Sequence, residues 1–112
     1  MGRVYLSTPA TEGSTFVVPF SLTSDDGTTV PPSTARWSLT DMAGDVINER
    51  SAVVIASPAV SNEIVLTGDD LAGIANDAGY RVITVSGNYV VGEGVFRDFI
   101  EEIVFSIEGR VL

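Results

Sequence analysis

Apolar and polar residues alternate along most of this chain. Phe16, Val18, Phe20 and Leu22 fall on one side of an extended segment, with Thr15, Val17, Pro19 and Ser21 on the other. Successive side chains of a strand point to opposite faces, so a period of two predicts a strand with one buried face. Pro19 has no N–H to give to a ladder, which predicts an edge or a bulge at that point. The stretch Ser24-Asp25-Asp26-Gly27, followed by Pro31-Pro32, reads as a turn and then an extended connection. Ala35, Trp37 and Leu39 alternate with Arg36, Ser38 and Thr40 in a second strand. Asp41 to Asp45 predicts a tight hairpin, with Gly44 free to take a positive φ. The return strand is expected to begin at Val46-Ile47-Asn48. Ala52–Ala56 predicts a short apolar strand, and Ile64 and Leu66 set against Glu63 and Thr67 predict another.

One stretch has helical character. Asp69 or Asp70 is placed to cap a turn over Leu71, Ala72, Ile74 and Ala75, between Gly68 and Gly79. So short a segment has no independent helical stability and serves as a connection. Tyr80 to Val91 is rich in Val, Ile, Thr and Tyr; its phase slips around Ile83 to Val85, as expected of burial on both faces or a bulge near Gly87. The last strand runs through Phe99, Ile103, Phe105 and Ile107, and Glu101 breaks its phase. Six to seven short strands separated by turn residues predict an all-β chain folded as an antiparallel β-sandwich with one short helical turn near residues 69–75.

Asp77-Ala78-Gly79-Tyr80-Arg81-Val82 resembles the Asp-x-Gly-x-Tyr-x-Cys corner of immunoglobulin domains, with one residue fewer before the tyrosine. It is also similar to the Tyr-x-Val-x-Val that opens a late strand of fibronectin type III domains. The resemblance implies an immunoglobulin-like or fibronectin III-like sandwich in which Tyr80 packs at a corner and Trp37 lies in the core. Val82 would stand at the second disulfide position, so a cross-sheet pin there would be apolar packing. A second resemblance is to small structural proteins of tailed bacteriophages and prophages. Val4 to Val18, Ser38-Leu39-Thr40-Asp41 and Gly44-Asp45-Val46-Ile47-Asn48 look like segments of theirs. That likeness implies a non-catalytic virion protein: a head decoration, a head–tail connector, or a tail or baseplate component. Its partners would be other virion proteins and copies of itself.

Composition narrows the chemistry. The 112 residues include six Arg and no Lys against fifteen Asp plus Glu, for a net charge of −9, and there is no His and no Cys. Disulfides, thiolate metal sites, Ser–His and Cys–His nucleophiles and Schiff-base lysines are therefore excluded. The acidic balance argues against nucleic acid as a partner. With 45% apolar residues the chain can bury a core, and its length suits one domain. No apolar run exceeds about five residues, against the ~20 of a membrane span, so no membrane and no signal peptide are expected. The adjacent carboxylates Asp25-Asp26, Asp69-Asp70 and Glu101-Glu102 are the remaining catalytic option. Strand neighbours point to opposite faces, however, and the loop pairs are accounted for by turn and cap chemistry. The expectation is no enzyme, no cofactor and no small-molecule substrate.

Asp69, Asp70 and Asp77 share one connection and are the candidate calcium ligands, since hard cations take several oxygens. They lack the alternating spacing of an EF-hand loop, and solvated loop acids are the simpler expectation. Residues 1–12 form either the domain's own first strand or an arm that adds to a neighbour's sheet edge, with the sandwich over residues 13–112. Val4, Tyr5, Leu6, Pro19, Glu101 and Glu102 are accordingly the candidate interface residues. From Gly68 onward eight acids face three Arg, an acidic surface suited to a basic protein partner. A carbohydrate- or cell-surface-binding module is the alternative reading, for which Tyr5, Tyr89 and Phe96 are the candidate exposed aromatics.

Overall fold

The computed structural model describes residues 2–24, 27–72 and 79–108. These form ten strands: β1 (Gly2–Tyr5), β2 (Ala10–Thr11), β3 (Thr15–Phe20), β4 (Leu22–Thr23), β5 (Thr29–Val30), β6 (Thr34–Thr40), β7 (Val53–Val54), β8 (Asn62–Thr67), β9 (Tyr80–Gly92) and β10 (Val95–Glu108). A single 3₁₀ turn, Gly68–Leu71, is the described part of the expected helical connection, and residues 73–75 lie outside the described residues. The large sheet has the order β1-β10-β9-β6-β7, with β2 also on β10; β3 pairs with β8, and β4 with β5. Pairing is antiparallel except at one edge, where β1 and β2 both run parallel to β10. The mostly β expectation holds, and the departure from an all-antiparallel arrangement is confined to the N-terminal segment.

The period of two puts the core where it was expected. Val18 and Phe20 of β3, Ile64 and Leu66 of β8, and Ala35, Trp37 and Leu39 of β6 are all buried. Aromatic pairs join the two sheets: the rings of Phe16 and Phe105 are 5.2 Å apart, and those of Phe20 and Phe99 6.0 Å apart. Burying each such side chain contributes about 1.5–3 kcal/mol. Pro19 is tolerated because β3 is paired on one side, to β8. In β9 the residues Arg81, Val82 and Ile83 are buried in succession, which is the two-faced burial behind the phase slip. There is no bulge at Gly87. It pairs in register with Phe99 and Ala35, and a Cβ there would overlap the Thr34 carbonyl oxygen. The irregularity of the hairpin falls instead between Val95 and Phe96.

Three expectations are corrected. The return strand after Gly44 does not form. Val46 makes one isolated bridge to Thr40, then Asn48 and Glu49 take φ of 51° and 58°, and pairing resumes only at β7. Two consecutive left-handed residues turn the chain out of a ladder, and alternation of apolar residues carries no sign of this. The strand expected over Ala52–Ala56 shrinks to Val53–Val54, because Ala52 and Ser57 also have positive φ. Tyr80 does not occupy a core corner: it is 46% exposed, on the face opposite Ile83. Val82 shares that outer face, so its burial pins no second sheet, whereas Trp37 does lie in the core. The turn at Asp25-Asp26 and the Asp77-Ala78 part of the corner fall outside the described residues.

Gly87→Ala is expected to destabilise the fold by about 1–3 kcal/mol or more, because the clash is with backbone that cannot rotate away. Chemical denaturation of the two proteins measures the difference.

Candidate interaction surface

The N-terminal segment lies on the edge of its own last strand. Gly2 to Tyr5 pair with Glu101 to Val104, and the Leu6 N–H continues the ladder to the Val104 carbonyl at 2.8 Å. Ser7 to Pro9 interrupt the pairing. Ala10 then re-enters the core, 1% exposed, and β2 pairs with Ile107 and Glu108. The side chains of β1 add little apolar burial, since Val4 is 54% and Tyr5 64% exposed. An Arg3–Glu102 ion pair at 2.8 Å, partly exposed on both sides, ties the strand across the ladder, and Arg3 also donates to the Tyr5 hydroxyl at 3.5 Å. An ion pair so exposed is screened by solvent and adds little to stability.

A groove of about 360 Å³ runs beside this edge, with Phe20 and Ile103 in its lining. It exists because two strands, β3 and β8, cover a much wider sheet. Val4, Leu6, Pro19, Glu101 and Glu102 all border it, so five of the six sequence-predicted interface residues come together there. Tyr5 is on the opposite face. Glu101 shares the inward parity of Phe99 and Ile103 but is only half-buried, since it sits where the small sheet no longer covers β10. That is the cause of the phase break. Glu102 points the other way, to Arg3, so the two neighbouring carboxylates do not converge on one point.

The acidic connection is organised differently from the calcium expectation. Asp69 is exposed, Asp77 lies outside the described residues, and Asp70 is fully buried. The Asp70 carboxylate accepts from Arg50 Nε at 2.7 Å and Asn48 Nδ2 at 2.8 Å on one oxygen, and from Arg50 Nη2 at 3.2 Å and the Thr67 N–H at 3.0 Å on the other. Four donors on two oxygens leave little room for a cation, so Asp70 is withdrawn as a calcium ligand. Its capping role is also reversed: from inside the 3₁₀ turn it reaches back to the Thr67 N–H. Arg50 is bracketed in turn, with Cζ 5.9 Å from the Trp37 ring centroid. The sequence offered no sign of Asn48 or Arg50. The only hint was the three-residue spacing of Thr67 and Asp70.

Burial pushes the Asp70 carboxyl up, but the bonds from Arg50, Thr67 and Asn48 together outweigh it and hold the group below its ordinary value of 3.8. Arg50 is correspondingly held more firmly protonated, chiefly by its hydrogen bonds to Asp70.

The aromatics do not assemble a sugar platform. Tyr89 is buried against Phe99, correcting its expected exposure, while Tyr5 and Phe96 are 64% and 56% exposed. Tyr5 lies opposite Val104, which sets it roughly 26 Å along β10 from Phe96 at ~3.3 Å per residue. No family model, curated protein or solved structure matches this chain.

Asp70→Asn is expected to cost about 1–3 kcal/mol at neutral pH by weakening charge-assisted bonds to a buried group. The native carboxyl binds its proton more weakly than the unfolded one. Its stabilisation is therefore complete above 3.8 and is lost as pH falls through the lowered native value. Urea melts at pH 7 and pH 3 should show the gap between wild type and variant narrowing in acid.

Proposed function

We propose that this chain is an immunoglobulin-like β-sandwich serving as a non-catalytic structural component of a phage-type virion. It would act by protein–protein contact as a head decoration, a head–tail connector, or a tail or baseplate part. The observation that carries a contact role is the convergence of Val4, Leu6, Pro19, Glu101 and Glu102 on one open groove beside a lightly held N-terminal strand. A strand attached mainly by its ladder, over a half-covered sheet edge, suits addition of a neighbour's segment. The strand order supports the immunoglobulin-like part, because an N-terminal segment parallel to the last strand closes one sheet while β3 and β8 form the other. So does the buried Trp37. The virion part rests on the likeness of Val4 to Val18 and of Ser38 to Asn48 to phage structural proteins. Its partners are other virion proteins and further copies, and its location is the assembled particle. A carbohydrate-binding role is less well supported, since the two exposed aromatics considered for it stand far apart.

A tagged copy expressed with its genomic neighbours is expected to co-sediment with assembled particles and to leave a glycan array silent. Tag signal confined to the top of the gradient, or a specific glycan hit, would overturn the proposal.

A further inference from the structure

The outer face of the large sheet differs from the rest of the molecule in two respects. It gathers exposed apolar side chains: Val54 at 75%, Phe96 at 56%, Val90 at 50% and Ile100 at 47%, with Tyr5 and Tyr80 further along the same face. It also carries nearly as many arginines as acids. Among the described residues its charged side chains are Arg3 and Arg36 against Asp98, Glu102 and, at the far end of β10, Glu108, while acids such as Asp41, Asp45, Glu49, Glu63 and Asp69 lie elsewhere. In a protein of net charge −9, two copies repel at most approaches. The part of this face around Arg36 and Asp98, away from Glu108, is where they would not.

The register arranges the face in cross-strand rows. Ile100, Ser86, Arg36 and Val54 form one row; Asp98, Asn88 and Thr34 form the next, and Phe96 and Val90 close the end. Arg36 and Asp98 therefore flank β9 on opposite sides, one row apart, with Gly87 midway between them. Neither makes an ion pair among the described residues. A two-fold axis lying between two such faces, over Gly87 and across the Arg36–Asp98 direction, sets Arg36 of each copy over Asp98 of the other. Self-complementarity of this kind is what an isologous interface requires. Five strands at ~4.8 Å and ten residues at ~3.3 Å bound a flat area of at most roughly 800 Å², comparable with the ~800 Å² each partner contributes to a stable complex.

We propose that the chain forms a face-to-face homodimer through this outer face, centred on β9 and carrying two reciprocal Arg36–Asp98 ion pairs. The inference deepens the contact role proposed above by naming a second copy as the partner at one face. It leaves the groove beside β1 free for other components.

Sedimentation equilibrium of the isolated chain, repeated on Arg36→Glu, Asp98→Arg and the double reversal, tests it. Wild type is expected to dimerise. Each single reversal places like charges opposite one another twice per dimer and is expected to raise the dimer Kd by ~100-fold, and the double reversal to restore it. Phe96→Glu, which touches no ion pair, is expected to weaken the dimer as well. Thermal melts followed by circular dichroism verify that each variant folds. A wild-type monomer at near-millimolar concentration overturns the proposal, and so does a dimer indifferent to the single reversals or not restored by the double one. A monomer that still co-sediments with particles sinks the dimer alone. A dimer absent from particles sinks the virion reading alone.

Discussion

The buried carboxylate of Asp70 is the constraint on which the described structure most depends. It sits just after β8, at the end of the small sheet, yet Asn48 and Arg50 come from the connection that follows β6 in the large one. One group thus ties the two sheets together at the end of the molecule where neither has a continuous ladder to offer. A carboxylate out of water is costly unless its lone pairs are filled, and here donors fill them. The same bonds help hold Asn48 and Glu49 in left-handed conformations, which cost about 1–2 kcal/mol apiece in an unconstrained chain. Arg50, held by Asp70, in turn lies over Trp37 and closes that end of the core.

A second constraint is the mismatch in size between the sheets. Two strands can cover only part of a face five strands wide, so inward positions near the β1 edge are left half-open. Glu101 is the clearest case: by parity it belongs with Phe99 and Ile103, and by cover it belongs to the surface. The groove beside β1 and the exposure of Glu101 share this origin. The long β9–β10 hairpin makes the molecule elongated, 54 Å in its longest dimension, and offers an outer sheet face on which exposed apolar residues collect.

Much of the fold was legible residue by residue. Alternation located β3, β6 and β8, the phase slip marked two-faced burial at Arg81 to Ile83, and Pro19 marked a strand with a free side. Local pattern marks Val4, Leu6, Pro19, Glu101 and Glu102 as edge residues one by one, but not that they meet. What escaped had no periodic signature. Positive φ at Asn48, Glu49, Ala52 and Ser57 is a backbone choice that their side chains do not announce. The motif around Tyr80 pointed to a core corner, but the register of β9 turns that residue outward and Ile83 inward, while Tyr89 goes to the core.

The amino-acid sequence by itself determined that this is a β protein with a hydrophobic core, no thiol or imidazole chemistry and a strongly acidic balance, because composition and a period of two act locally. Only the tertiary structure decided which acid is a structural anchor and which is solvated. It also decided that the N-terminal segment runs parallel to β10 and that the charge is unevenly shared between faces. Those outcomes depend on groups distant along the chain, Asp70 with Asn48 and Arg50, Glu101 with Val4 and Pro19, Arg36 with Asp98. Proximity of that kind is fixed by strand register and sheet order, which no local pattern encodes.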